Sequence, residues 1–170
     1  TPYHPTGPTA QTSGGLSYTW NYNDKNTITF GVEYFFNPMG YSSPAEYLVQ
    51  SFLPAFDGSV LDPSQRVSLY QGKHSVALTV AAPGLPNLTW VTLSLSSIAN
   101  LSDPSGLTRL DAIFRVLTYL NVQAFAAVFY GQKGGELRFT LPSELASQLP
   151  AGTSFKPSIA QLGVLLRLSI

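Results

Sequence analysis

Large apolar residues occupy one parity along residues 27–37, which read TITFGVEYFFN, and mainly small or polar residues, with Phe35 among them, occupy the other. An alternation of period two is typical of a β-strand whose two faces meet different surroundings. A soluble sandwich produces it with the polar face toward water. A membrane barrel produces it with the apolar face toward lipid and the polar face toward an aqueous lumen. The pattern therefore predicts a strand and leaves its surroundings open. The apolar positions are Ile28, Phe30, Val32, Tyr34 and Phe36.

Similar alternation along the rest of the chain predicts seven strands, of which the first two form an antiparallel hairpin. The two faces cannot be assigned in the sixth strand, because both of its parities carry alanine or aromatic residues. The predicted strands are residues 16–23, 27–37, 74–81, 88–97, 107–119, 122–130 and 159–170.

Short connections between these strands alternate with longer ones. The short connections are residues 23–26, 83–87 and 120–121, and the longer ones are residues 38–72, 100–106 (NLSDPSG) and 131–157. The first long connection contains SPAEYLVQSFLPAF, which predicts a short helix with Ser43 as its N-cap and a proline at its first position. This helix either lies against the mouth of a barrel or is an ordinary loop helix with no further role. Its apolar positions are Tyr47, Leu48, Phe52 and Leu53.

Composition favours lipid over water as the surroundings of the apolar face. Charged residues make up 11% of the chain, well below the ~25% of a typical soluble domain. A surface so poor in charge is unfavourable in water and is expected against lipid. The net charge is zero, which argues against nucleic acid as a partner. No apolar run approaches the roughly 20 residues of a transmembrane helix, and no cysteine is available for a disulfide or a thiolate metal site.

The aromatic strand TITFGVEYFF leading into a long loop, the tight turns and the closing strand IAQLGVLLRLSI resemble a Gram-negative outer-membrane β-barrel, most closely the porin-like families. The likeness covers most of residues 14–170 and is one of pattern rather than of a specific motif. It implies an all-β fold: an antiparallel transmembrane β-barrel, or the C-terminal part of a larger one, with short periplasmic turns and long extracellular loops. Residues 1–15 would be an extracellular loop or a disordered segment, and residues 16–170 would supply the barrel strands.

The odd number of predicted strands favours the C-terminal part of a larger barrel, because closed single-chain bacterial barrels normally have an even number. The alternative is a small closed barrel in which ELRFTL, residues 136–141, supplies an eighth strand.

Two sets of residues are candidates for function in such a barrel. The first is the charges within strands, all on the presumed lumen parity, which either create a transverse field that orients polar solutes or form satisfied ion pairs. This set is Glu33, Arg109, Asp111, Arg115 and Arg167. The second is aromatic residues placed to form girdles at the two interfaces. That set is Trp20, Tyr22, Tyr34, Phe36, Trp90, Tyr119 and Tyr130, with Trp90 and Tyr119 on the lumen parity.

Catalytic motifs are not visible. His74 and Ser75 are neighbours in a predicted strand and point to opposite faces, so they do not form a dyad and His74 is predicted to be structural. Neither metal-ligand spacing nor a phosphate loop is present. We therefore predict no enzyme activity, no cofactor and no metal.

The predicted function is that of an outer-membrane β-barrel protein, a porin-like channel for the passive passage of small solutes. The alternatives are a structural or anchoring barrel subunit of an envelope assembly, with a plugged lumen, and a soluble all-β binding module. The expected partners are outer-membrane lipid and either the missing N-terminal part of the same barrel or other envelope subunits.

Overall fold

The described residues form one antiparallel sheet of seven strands that follow one another in chain order. The computed structural model describes residues 10–24, 26–47, 72–85, 87–138 and 159–168. The all-β antiparallel prediction is therefore confirmed. The strands are β1 (Thr12–Asn23), β2 (Asn26–Phe36), β3 (His74–Leu85), β4 (Leu88–Asn100), β5 (Ser105–Leu117), β6 (Leu120–Gly131) and β7 (Ala160–Leu168).

β1 and β7 are the two edges of the sheet and do not pair with each other. The sheet is therefore open and is not closed into a barrel. Every neighbouring pair is antiparallel and the strand number is odd, so β1 and β7 run in the same direction. The eighth strand considered for ELRFTL does not form over residues 136–138, which make a turn closed by an isolated bridge between Gly135 and Arg138. Residues 139–141 lie outside the described part of the chain.

Several strands are longer than the pattern predicted. β1 begins at Thr12 rather than at residue 16, because Thr12 pairs with Phe36 across the hairpin. The predicted longer connection NLSDPSG is in fact a turn of four residues, 101–104, because Asn100 and Ser105 still pair with each other. Two long connections therefore remain at that end of the sheet, residues 37–73 and 132–159. We call this end the loop end and the other the turn end.

Two neighbouring rows of paired residues near the middle of the sheet each keep one character from β1 to β7, whereas other rows are mixed. The sequence alternation assigns each strand's faces, and the register joins like faces, because directly opposed residues project to the same side. One row is apolar apart from the Tyr18 hydroxyl: Tyr18, Phe30, Val80, Leu95, Leu110, Ala126 and Leu162. The neighbouring row is mainly small or polar: Thr19, Thr29, Ala81, Ser94, Asp111, Phe125 and Gly163. The register also assigns the faces of β6, which the sequence left open: Ala126 lies on the apolar face and Phe125 lies on the polar face.

The apolar face is uncovered. Leu162 on β7 is 84% exposed, Leu16 on β1 is 79% exposed, and Leu110 on the interior strand β5 is still 48% exposed. Buried hydrophobic residues within the described ranges are limited to Tyr41, Val91 and Ala127. A soluble sandwich needs a second layer on this face, and the described residues supply none.

The loop between β2 and β3 forms one helical turn at residues 44–47, directly after the predicted N-cap Ser43. The Glu46 amide donates to the Ser43 hydroxyl at 3.4 Å, and the Glu46 carboxylate accepts from the Ser42 amide at 2.6 Å. This is close to a capping box. The predicted apolar positions from Leu48 onward lie outside the described residues. No helix among the residues described is both long enough and apolar enough to span a membrane.

Candidate functional site

All five charged residues within strands lie on the polar face. Glu33 is opposite Gly15 and Ala77 toward the loop end, and the others lie on β5 and β7. An arginine on the apolar face would cost about 2–4 kcal/mol at the middle of a bilayer, and no described strand carries a Lys, Arg, Asp or Glu there. The β5 and β7 residues are Arg109, Asp111, Arg115 and Arg167.

Arg109 and Asp111 form a self-contained ion pair. The Arg109 Nε and Nη2 atoms donate to the two carboxylate oxygens of Asp111, each at 2.7 Å, and Gln123 donates a third hydrogen bond at 2.7 Å. The guanidinium carbon also lies 4.2 Å from the centre of the Phe125 ring, a cation–π contact. The geometry therefore favours the interpretation in which these two residues form a satisfied ion pair over the one in which they create a transverse electric field.

The structure does not bring the five predicted charges together. The row of Glu33 reaches β5 at Leu107, eight residues from Arg115, which is about 26 Å along the strand. Arg115 and Arg167 lie at the turn end, on either side of Asn121. Glu33, Arg115 and Arg167 form no ion pair with any described residue.

Aromatic residues are placed toward both ends of the apolar face. At the loop end, the Tyr34 hydroxyl lies 2.6 Å from His74 Nδ1, and the His74 ring also packs on Phe36 at 5.3 Å. This contact fits the structural role predicted for His74. The Tyr130 ring lies over Gly106, and its hydroxyl is 3.1 Å from the Ser97 hydroxyl.

At the turn end, Trp20 and Tyr22 pack together with ring centres 6.1 Å apart. Trp90 lies one residue beyond Val91, the last β4 residue that pairs with β5, and packs on Phe114, a residue of the apolar face, at 5.9 Å. Its ring therefore contacts the face opposite to the one its parity indicated. Tyr119 lies in the β5–β6 turn, residues 118–119, and is 56% exposed.

A buried polar cluster at the loop end was not predicted from the sequence. Its members come from three separate connections and from the adjoining strand ends. We call it the loop-end cluster, and it consists of Tyr41, Asn100, Asp103, Ser105 and Glu136. All of these residues except Glu136 are at most 2% exposed.

Asp103 is the centre of this cluster and is fully buried. Its Oδ2 atom accepts from the Tyr41 hydroxyl at 2.6 Å and from the Glu136 amide at 2.6 Å. Its Oδ1 atom accepts from the Ser105 hydroxyl at 2.5 Å and from the Ser105 amide at 3.1 Å. Four donors on one carboxylate satisfy the charge that burial would otherwise penalise.

Asn100 joins the other side of the cluster. Its side-chain amide donates to the Tyr41 hydroxyl at 2.5 Å and to a Glu136 carboxylate oxygen at 2.8 Å. The chain approaches closely at two glycines: a Cβ on Gly72 would lie 2.3 Å from the Asn100 amide, and one on Gly135 would lie 2.9 Å from an Asp103 oxygen. The cluster therefore ties the β2–β3, β4–β5 and β6–β7 connections into one unit.

Nothing in the sequence pattern marks these residues as partners. Asp103 lies in a Pro- and Ser-containing turn, Tyr41 lies in a loop, and Glu136 lies 33 residues beyond Asp103. The usable signal is Asp103 itself, because an Asp two residues before Ser is a common acceptor for a turn amide.

Burial raises the pKa of the Tyr41 phenol above its ordinary value of 10.0, and the hydrogen bond to Asp103 and the charge of Glu136 raise it further. Above about pH 10 the unfolded chain releases this proton while the folded chain retains it, so the free energy of unfolding falls as the pH rises. We expect a loss of about 1.4 kcal/mol per pH unit from this group. Melting of the wild type and of Tyr41→Phe between about pH 9 and pH 11 measures it. The wild type should lose stability more steeply, and parallel slopes would contradict the assignment.

Ser75 is 1% exposed, and its hydroxyl has no hydrogen-bond partner among the described residues. A buried hydroxyl without a partner carries a desolvation penalty of about 1–3 kcal/mol. Ser75→Ala is therefore expected to leave the unfolding free energy unchanged or to raise it by about 1 kcal/mol. Denaturant unfolding of the two proteins tests this, and a loss of stability would show that the hydroxyl is bonded.

No group of three or more His, Asp and Glu residues in the described ranges is arranged to hold a metal ion. Within the described residues, the site therefore consists of a polar face with one ion pair and two arginines outside any ion pair, an opposite apolar face, and a loop-end cluster. No protein-family model, curated protein or solved structure matches the chain.

Proposed function

We propose that this chain forms part of the wall of an outer-membrane β-barrel that acts as a porin-like channel for the passive passage of small solutes. One observation carries the proposal: an exposed apolar face runs across all seven strands, and every strand charge lies on the opposite face. Lipid covers such a face without a second layer of protein, and an aqueous lumen solvates the other.

Strand length supports the same proposal. The strands have 9 to 13 residues, whereas soluble sheets usually have ~5–6. A tilted strand needs about 9–11 residues to cross the hydrocarbon layer. The aromatic residues toward both ends of the apolar face suit the two interfaces, where an apolar ring with a polar atom is favoured.

Closure of this barrel requires strands beyond the seven. β1 and β7 run in the same direction. If the sheet closed on itself, β7 would pair with β1, and in a ring of identical copies β7 of one copy would pair with β1 of the next. Both pairings would be parallel. Bacterial barrels are antiparallel throughout. An odd number of further strands between β7 and β1 satisfies this requirement, and the free backbone groups of both edges would then be paired.

A structural barrel is the second candidate, and the loop-end cluster favours it. A cluster that ties three connections together at one mouth of the barrel would hinder solutes, and the Arg109–Asp111 pair shows that part of the polar face is self-satisfied. In this alternative the barrel is an anchor whose loops bind envelope partners.

Conductance in planar bilayers separates the two candidates. The full-length protein, extracted in detergent from the envelope, should give stable steps of conductance if it is a channel. Stable insertion without conductance would overturn the channel and favour the structural barrel. A protein that stays monomeric in buffer without detergent would overturn both.

A further inference from the structure

We propose that Arg115, Asn121 and Arg167 form a binding site for small oxyanions, carboxylates or phosphates, at the turn end of the polar face. The site would make that mouth of the lumen anion-selective. The selectivity rests on the proposed channel function, because solutes pass along this face if it lines a lumen. The site itself is defined by the geometry of three neighbouring strands.

The three residues lie on one row of the sheet. Asn121 on β6 is directly opposite Arg115 on β5 and directly opposite Arg167 on β7. Paired residues project to the same face, so all three side chains leave the sheet on its polar side. The two arginine backbones are two strand spacings apart, about 10 Å. Long side chains can close this separation over the shorter Asn121.

Among the described residues, no acidic side chain pairs with either arginine. Arg109 and Asp111 form the ion pair found within the described ranges, and neither Arg115 nor Arg167 takes part in one. Glu33 lies about 26 Å away along the strands. Asp24, in the β1–β2 turn, is separated from β5 by β3 and β4, at least about 14 Å across the sheet.

The donor set suits an oxyanion. A guanidinium presents a planar fork of N–H groups that matches a carboxylate or phosphate in bidentate geometry, and it keeps its charge at any physiological pH. The Asn121 amide adds a neutral donor between the two forks. Both arginines are exposed in the structure, so the forks are free to turn toward a ligand.

Reversal potentials across a KCl gradient test the selectivity. The wild-type channel should prefer chloride to potassium, and Arg115→Gln/Arg167→Gln should lower that preference roughly threefold near 0.1 M salt. The effect should vanish near 1 M salt, where the Debye length is about 3 Å. A matched control, Lys73→Gln/Lys133→Gln, removes two positive charges at the loop end and should change the preference much less. Equal shifts in both double variants, or a cation-selective wild type, would overturn the selectivity.

A second measurement tests the site without conductance. Inorganic phosphate is titrated into the folded protein in detergent, and the arginine side-chain N–H resonances are followed by NMR. Saturable shifts in the wild type that are absent from the arginine double variant support the site, and unsaturable or unchanged shifts overturn it. A protein that binds phosphate but never conducts would overturn the channel function alone.

Discussion

Replacing Leu95 with arginine is expected to destabilise the inserted barrel by about 2–4 kcal/mol. Leu95 is on the central strand β4, on the apolar face, between Val80 and Leu110. It is 40% exposed, so the substitution meets no steric obstacle in the sheet and its cost would come from lipid. A lipid-facing arginine near the middle of the bilayer should lower the unfolding free energy by about 2–4 kcal/mol. Urea unfolding of the protein in phospholipid vesicles measures this loss.

Ser94→Arg is the matched control for this experiment. Ser94 is the preceding residue of the same strand, lies on the polar face, and is directly opposite Asp111. An arginine there should cost less than about 1 kcal/mol, because it meets water and a carboxylate. Equal losses in the two variants would show that the faces are not in different environments.

Asp103→Ala is expected to release the loop-end connections from one another. The substitution would leave the Ser105 hydroxyl and amide and the Glu136 amide without their acceptor in a buried place, and the Tyr41 hydroxyl would keep only the Glu136 carboxylate, at 3.1 Å. Each buried group left unpaired costs about 1–3 kcal/mol, so we expect a total of roughly 3 kcal/mol or more. Limited proteolysis should then cut the β4–β5 and β6–β7 connections much faster than in the wild type.

Asp24→Ala is the control that removes an aspartate from the opposite end of the sheet. Asp24 is exposed in the β1–β2 turn, and a surface substitution of this kind should change stability by no more than about 0.5 kcal/mol. If the two alanine variants resist protease equally, the loop-end cluster does not hold the connections together. Increased conductance of Asp103→Ala would further show that the cluster narrows the mouth.

The strands could be predicted from the sequence because their two faces differ so strongly. In β2 and β7 every second residue is large and apolar, and the structure has both strands at the predicted places within a few residues. The boundaries were less accurate in β1 and β4, whose ends pair through Gly, Ser and Asn residues that also occur in turns. Backbone pairing with a neighbour decided these ends, and alternation carries no information about it.

The loop-end cluster could not be predicted for a different reason. Apart from the two that join Ser105 to Asp103, its hydrogen bonds join residues 33 to 95 positions apart, for example Tyr41 to Glu136. They depend on the register that brings the tips of β4 and β5 beside the other two connections. The ion pair of Arg109 and Asp111 was foreseeable, since residues two apart in a strand lie on one face. The sequence left open whether they pair or act separately.

Fluorescence quenching by lipid tests most directly whether the apolar face meets the bilayer. A single tryptophan is placed at residue 95 or at residue 94, by Leu95→Trp or Ser94→Trp, in a background of Trp20→Phe and Trp90→Phe. The barrel account predicts strong quenching of the residue 95 variant by lipids brominated in their acyl chains. The residue 94 variant should instead be quenched by aqueous iodide. Equal quenching of both variants by lipid, or protection of residue 95 from lipid and iodide alike, would contradict a lipid-facing sheet.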